Sequence, residues 1–177
     1  MSAGKIMHEG KNIEIEYKFL VDKEKINKII TVYSPYRDIV QGYLSFDPVV
    51  RIRCSRWVWF DGVEKKFHNE KPVFTVKTSE TFKRNEWNFS GDFSGADDLL
   101  ALCKGKLIKK HRYTLEDYNH DGCFWEIDFF EGEDFVLAEL EVPSEDYKFE
   151  KPDWIIKDVS HDPRYYNENM AKAGFNK

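Results

Sequence analysis

The chain has 177 residues, 41% hydrophobic and 16% aromatic, enough for one domain with a substantial core and too apolar for a disordered chain. Charged residues make up 33%, yet the net charge is only −5, which argues against a general nucleic-acid binder, a class marked by basic excess. Cys54, Cys103 and Cys123 are scattered without a paired spacing, which argues for a reducing compartment and against a disulfide framework or a cysteine zinc site.

The stretch from Met1 to Lys11 is polar and lacks the apolar run of a secretion signal. No apolar run approaches membrane-spanning length, so a cytoplasmic protein that meets no membrane is expected. Residues 12–21 alternate, with Ile13, Ile15, Tyr17 and Phe19 against Glu14, Glu16 and Lys18, which predicts a strand. Asp22 reads as a helix N-cap, followed by a stripe of Ile26, Ile29, Ile30 and Tyr33 that Ser34-Pro35 ends. Strands are expected at 38–46 and 49–59, with a turn at Asp47-Pro48, and Asp61-Gly62 opens a polar hairpin loop that runs to Lys71. Strands at 72–79 and 83–90 follow, the second broken by Gly91. Ser94-Gly95-Ala96-Asp97 resembles a capping box before an apolar helical patch at Leu99, Leu100, Leu102 and Cys103, with Gly105 as its C-terminal cap. Strands at 106–118, 123–130 and 135–142 are joined by turns at Asp121-Gly122 and Glu131-Gly132. The tail from Pro143 is irregular, with a short run Trp154-Ile155-Ile156 and a helix from about Pro163. About eight strands with short connections favour an antiparallel sheet closed on itself. The expected class is α+β, mainly β: a closed eight-stranded antiparallel barrel with a few flanking helices, as a single domain over 1–177.

Charged residues recur two apart. The pairs are Glu14/Glu16 (with Lys18 next), Arg51/Arg53, Arg84/Glu86, Lys110/Arg112, Glu126/Asp128 and Glu139/Glu141, and Lys77 follows Thr75 at the same spacing. That spacing puts both members on one strand face. Strand by strand, a solvated face is the simpler reading. The set as a whole argues otherwise, because like charges two apart repel unless opposite charges or ligands face them. Acids and bases nearly balance, as groups lining a cavity must. Periodicity alone leaves inside and outside open.

The ordered set Glu14-x-Glu16-x-Lys18, Gln41-Gly42-Tyr43-Leu44, Arg51-Ile52-Arg53, Thr75-Val76-Lys77, Arg84-x-Glu86, Lys110-x-Arg112, Glu126-x-Asp128 and Glu139-Leu140-Glu141 resembles the CYTH superfamily of triphosphate tunnel metalloenzymes. The tail from Asp158-Val159-Ser160 to Asn167 is similar to that of small bacterial members. The resemblance implies an eight-stranded tunnel and an enzyme that hydrolyses inorganic triphosphate, thiamine triphosphate or RNA 5′-triphosphate ends, or cyclises ATP, with Mg²⁺ or Mn²⁺. It assigns Glu14, Glu16 and Glu141 to the main metal, and Glu139 to a second metal or to positioning the attacking water. Asp128 is a further metal candidate, and Asp128 and Glu126 also suit orienting bases or pairing with Lys110 or Arg112. Two departures stand out: Tyr17 replaces the arginine common in bacterial members, at a position expected to face outward, and the segment from Trp57 to Lys71 is longer and more aromatic, so it bears on substrate choice.

The chemistry fits that assignment. A triphosphate needs several fixed cations plus a metal on its phosphoryl oxygens. Arg51, Arg53, Arg84 and Arg112 offer planar forks for phosphate, and Lys18, Lys77 and Lys110 point charges; Arg164 in the tail offers another. The carboxylates suit a hard divalent cation. The catalytic set that the resemblance implies is Glu14, Glu16, Glu139, Glu141 and Lys18. The histidines show no ligand spacing, and His111 is expected to point away from Lys110 and Arg112. Hydrolysis of tripolyphosphate to diphosphate and phosphate by in-line attack of water is the expected activity, with a small triphosphate as partner and a homodimer allowed. The competing readings are a class IV-type adenylate cyclase or thiamine or nucleoside triphosphatase on the same fold, and a non-catalytic polyphosphate- or nucleotide-binding barrel.

Overall fold

A computed structural model describes residues 7–78, 82–92, 95–116 and 123–173. Its elements are β1 (Met7–Val21), α1 (Lys23–Ile29), β2 (Tyr36–Phe46), β3 (Val49–Phe60), β4 (Lys65–Asn69), β5 (Val73–Lys77), β6 (Lys83–Ser90), α2 (Ala96–Ala101), β7 (Lys104–Glu116), β8 (Phe124–Phe130), β9 (Val136–Glu141), β10 (Ile155–Asp158), a 3-10 turn at Pro163–Tyr165 and α3 (Asn167–Ala173). Neighbours in the sheet run β1-β6-β5-β3-β2-β7-β8-β9, and β9 pairs back onto β1. Eight antiparallel strands therefore close into the expected barrel, with β4 added to β3 and β10 added to β1.

The outward positions of β1, β8 and β9 are apolar, and they carry the larger core. Ile15, Phe19, Trp125, Ile127, Ala138 and Leu140 are buried there under Ile26 of α1 and Trp154 of the tail. Trp125 and Trp154 meet edge to face, ring centres 5.2 Å apart. A second core closes one end of the barrel. Leu137, Phe130, Ile108, Tyr43 and Val49 take inward positions there, and Met170 and Ala171 of α3 pack against them.

Several boundaries differ from the sequence reading for local reasons. Asp22 does cap α1, its carboxylate accepting from Glu24 N and Lys25 N at 3.0 and 3.1 Å. The helix stops at Ile29, short of Tyr33. Ile29, Ile30, Thr31 and Val32 are β-branched, and the Ser34 hydroxyl accepts from Thr31 N at 3.0 Å in a competing turn. The polar 61–71 segment is not all loop. Asp61 accepts from Val63 N and Glu64 N, both at 3.0 Å, and turns the chain back as β4 along the outer part of β3. Gly95, not a side-chain cap, starts α2, with φ of 102° and no side-chain bond. Gly105 does not end α2, which finishes at Ala101 with Leu102 as its C-cap; it lies in β7 with φ of 72°, where a Cβ would stand 2.3 Å from the Ala171 carbonyl oxygen. The tail contributes β10 as well as the expected helix. Ser94, the Asp121-Gly122 turn and the outer ends of the 72–79 and 106–118 strands lie outside the described residues. Among the described residues no helix is long and apolar enough to cross a membrane.

Candidate active site

Directly opposed residues of an antiparallel ladder share a face. Glu16 opposes Glu141 and Lys18 opposes Glu139 across β1 and β9. Glu126 opposes Glu139 across β8 and β9, and Arg112 opposes Asp128 across β7 and β8. Arg53 opposes both Gln41 and Val73, Arg51 opposes Thr75, Lys77 opposes Glu86, and Arg84 opposes Glu14. The registers join the charged faces into one inner wall. It encloses a cavity of about 240 Å³.

The wall is a chain of alternating ions. Arg84 donates from Nε to Glu14 and from Nη1 to Glu168, both at 2.6 Å. Lys77 donates to both Glu14 oxygens at 2.7 and 2.9 Å and also pairs with Glu86. Lys18 bridges Glu16 and Glu139. Lys110 donates to Asp128 at 2.5 Å, and Arg112 grips Asp128 through Nε and Nη2 at 2.6 Å while also pairing with Glu126 and Glu139. Arg51 and Arg53 break the pattern. Arg51 Nη2 donates to the Thr75 hydroxyl at 2.8 Å, and that hydroxyl donates to Asn88 at 2.7 Å. Among the described residues neither guanidinium has a carboxylate partner, and both Nε atoms are buried without an acceptor. Burial, then the like charges of Arg51 and Arg112, push Arg53 down to about 10.

The acids divide into two kinds. Burial alone would raise Glu14 and Glu139. Lys77 and Arg84 outweigh it at Glu14, and Lys18, Lys110 and Arg112 at Glu139, holding both carboxyls well below the usual range. Glu16 goes the other way: burial, then the Glu139 carboxylate, push it up to about 7. Burial, then Glu14, Glu86 and Glu126, also raise Glu141.

The structure thus brings Glu14, Glu16, Glu139, Glu141, Arg51, Arg53, Lys77, Arg84, Lys110 and Arg112 to one cavity. Lys18 stands just behind its surface, 2% exposed. Asp128 does not reach the cavity: it is fully buried, with both oxygens taken by Lys110 and Arg112, which answers to the pairing reading and not to metal ligation. Arg164 is also placed elsewhere, exposed on the surface and paired with Asp162. Tyr17 and His111 face away from the bore, against Phe82 and Phe149 and against Tyr36 respectively. Glu168 was not singled out by sequence. An acid in the first turn of a short helix reads as a partner of the helix dipole, and only the docking of α3 over the barrel end aims it at Arg84.

The residues present fit a hard divalent cation. Glu16 and Glu141 face each other with Glu14 beside them, all oxygen donors, and the raised carboxyls of Glu16 and Glu141 report negative charge that a cation would relieve. Among the described residues no three such ligands already surround one point; Glu14 and Glu139 are turned to their bases.

Fold and site together define a closed antiparallel barrel whose bore is lined by ions in place of a hydrophobic core. Over 163 residues the chain is 36% identical to the inorganic triphosphatase of Acetivibrio thermocellus, covering 90% of this chain and 93% of that protein. The chain belongs to the inorganic triphosphatase family. The crystal structure of the inorganic triphosphatase NE1496 matches it with a TM-score of 0.55 at 26% identity, covering 90% of this chain and 94% of that one. A crystal structure described as the hypothetical protein NE1496 matches with the same TM-score and covers 97% of that chain. No family model matches.

Proposed function

We propose that this protein is a triphosphate tunnel metalloenzyme of the CYTH type, which hydrolyses inorganic triphosphate to diphosphate and phosphate with Mg²⁺ or Mn²⁺. The observation that carries the reading is the pair of half-buried guanidiniums, Arg51 and Arg53, that have no carboxylate partner among the described residues, whose Nε atoms are buried without an acceptor, and that face a cavity of about 240 Å³. Cations with buried donors left unpaired at a cavity wall call for an anion. A phosphate chain supplies it, and planar guanidinium forks match its oxygens.

Arg51 and Arg53 bind the chain, and Lys77, Arg84 and Arg112 spread further positive charge along it. The ion pairs that now hold these bases fix them before substrate arrives, so little reorganisation accompanies binding. Glu139, kept ionised between Lys18 and Arg112, accepts a hydrogen bond from the attacking water and aims it. The water oxygen bonds to a terminal phosphorus as the bridging P–O bond breaks, and the diphosphate leaves with the bond's electrons on its oxygen. The water's proton is released to solvent, and Glu16 stays a carboxylate able to hold a divalent cation. A divalent cation held by Glu14, Glu16 and Glu141 supplies Lewis acidity and neutralises phosphoryl charge when bound.

The test is phosphate release from tripolyphosphate, ATP and thiamine triphosphate, with cyclic AMP followed in parallel. Tripolyphosphate is expected to be hydrolysed fastest, with Mg²⁺ or Mn²⁺ required and chelation abolishing release. Absence of release from tripolyphosphate with either metal would overturn the activity, and full release under chelation would overturn the metal.

A further inference from the structure

The outer part of the bore holds a device that the activity above does not use. β3 changes partner midway, pairing with β4 over Arg56–Phe60 and with β5 over Val49–Arg53. Glu70 stands at that change, its N–H donating to the Ser55 carbonyl at 2.9 Å. Its carboxylate accepts from the Ser55 hydroxyl at 2.7 Å and from Arg37 Nε at 3.1 and 3.2 Å. Arg37 lies on the inward face of β2, directly opposite Arg112, with its guanidinium 5.2 Å from the Trp57 ring centre. Arg37, Ser55 and Glu70 line a second cavity of about 310 Å³, which shares Arg53, Arg112 and Glu126 with the bore. The second cavity is therefore an outer continuation of the first. At the opposite end the bore is shut by Leu137, Phe130 and Ile108 beneath α3.

With the α3 end closed, a phosphate chain held by Arg51 and Arg53 extends toward the open end, where the bore continues past Arg53 and Arg112 on the β2–β3 side and past Glu126 and Glu141 on the β8–β9 side. Glu70 meets it on the β2–β3 side. Burial would raise the Glu70 carboxyl, but the Ser55 hydroxyl and Arg37 keep it below its ordinary value, so it is a fixed negative charge. It also occupies Arg37, a guanidinium of this second cavity placed to take a further phosphate.

We propose that Glu70, pinned by Ser55 and Arg37, is a length gauge that admits inorganic triphosphate and rejects longer linear polyphosphates. The mechanism is exclusion by a built-in like charge instead of tighter grip on the favoured substrate. The proposal rests on the triphosphatase reading, and its test separates the two. The readout is the ratio of kcat/KM for tetrapolyphosphate to that for tripolyphosphate, a quantity that a merely structural residue would not move. Glu70→Gln is expected to raise the ratio about ten-fold. Arg37→Gln, which keeps the carboxylate and removes the cation, is expected to lower it. Should Glu70→Gln fail to fold, Ser55→Ala, which loosens the carboxylate but keeps its charge, is expected to raise the ratio about three-fold. A ratio unchanged in whichever of these two carboxylate variants folds overturns the gauge. Calorimetric titration of the chelated protein with both polyphosphates gives the same ratio as affinities. A shift in the affinity ratio without turnover of either polyphosphate overturns the triphosphatase reading and upholds the gauge; no shift in affinity or turnover overturns the gauge.

Discussion

At Glu16, burial and the neighbouring Glu139 carboxylate push the acid up to about 7, so near and above neutrality the folded chain holds a carboxylate that it disfavours. A neutral isostere removes that penalty and with it the proposed metal ligand. Glu16→Gln is therefore expected to melt at or above the wild-type temperature at pH 8 in chelator, while turnover of tripolyphosphate falls at least about a hundred-fold. A variant that turns over at the wild-type rate would remove Glu16 from the site. Arg53 and Tyr17 give the matching test of facing. Both sit on barrel strands, but Arg53 lines the cavity while Tyr17 packs outside on Phe82 and Phe149. Arg53→Ala is expected to weaken tripolyphosphate binding by about ten-fold or more, since a hydrogen bond to a charged group contributes about 1.5–3 kcal/mol. Tyr17→Ala is expected to lower the melting temperature and leave affinity nearly unchanged; the reverse order in titration calorimetry would mean the faces are misassigned. At this scale the sequence was informative because spacing two apart fixes which residues share a face. It could not say which face was inside: Ile15 and Glu16 alternate equally well either way, and only the closure of β9 onto β1 decides.

The barrel strands were legible for the same reason that the added elements were not. Each of β1, β3, β7, β8 and β9 alternates long enough to announce itself. β10 has four residues, Ile155–Asp158, and its pairing with the end of β1 is a contact between distant parts of the chain. β4 is hidden by its composition, since Lys65, Lys66, His68 and Asn69 read as loop. α3 was expected as a helix, but its docking was invisible, and docking is what gives it a role. Its carbonyl at Ala171 lies where a Cβ on Gly105 would be, at 2.3 Å, and its first turn sends Glu168 to Arg84 at 2.6 Å. Gly105→Ala is therefore expected to push α3 off the barrel end. The left-handed φ of 72° adds backbone strain of order 1 kcal/mol for a side chain. Together with the overlap, a loss of about 2 kcal/mol is expected in denaturant unfolding, accompanied by weaker tripolyphosphate binding as Glu168 leaves Arg84. Wild-type stability would show that α3 is not seated as described.

Over the whole molecule the usual arrangement is inverted: the apolar cores lie on the outside of the barrel wall and at one end, and the charges lie within. Stability must then follow the protonation of the bore. Glu14 and Glu139 have carboxyls held below the ordinary 4.5, so the folded state binds fewer protons there than the unfolded chain. Their contribution is complete above pH 4.5 and drains away as pH falls below it. Glu16 and Glu141 have the opposite sign, with folded carboxyls raised above 4.5, Glu16 to about 7. Their contribution is present below pH 4.5 and is lost as pH rises through about 7. The metal-free protein is thus expected to melt highest near pH 4.5, to lose stability below it, and to lose it again as pH rises from there through about 7. The two limbs answer to different ligands. A divalent cation favours the ionised forms of Glu16 and Glu141, so millimolar Mg²⁺ or Mn²⁺ should lift the alkaline limb far more than the acid one, by mass action on the folded state alone. Tripolyphosphate added in chelator should instead raise melting wherever Arg51 and Arg53 are exposed to it, with the gain shrinking as salt screens the charges. Melting curves across pH, with and without each ligand, check both. A single flat profile, indifferent to cation and to tripolyphosphate, would mean that the ions of the bore neutralise one another completely and leave nothing for a metal or a phosphate chain to bind.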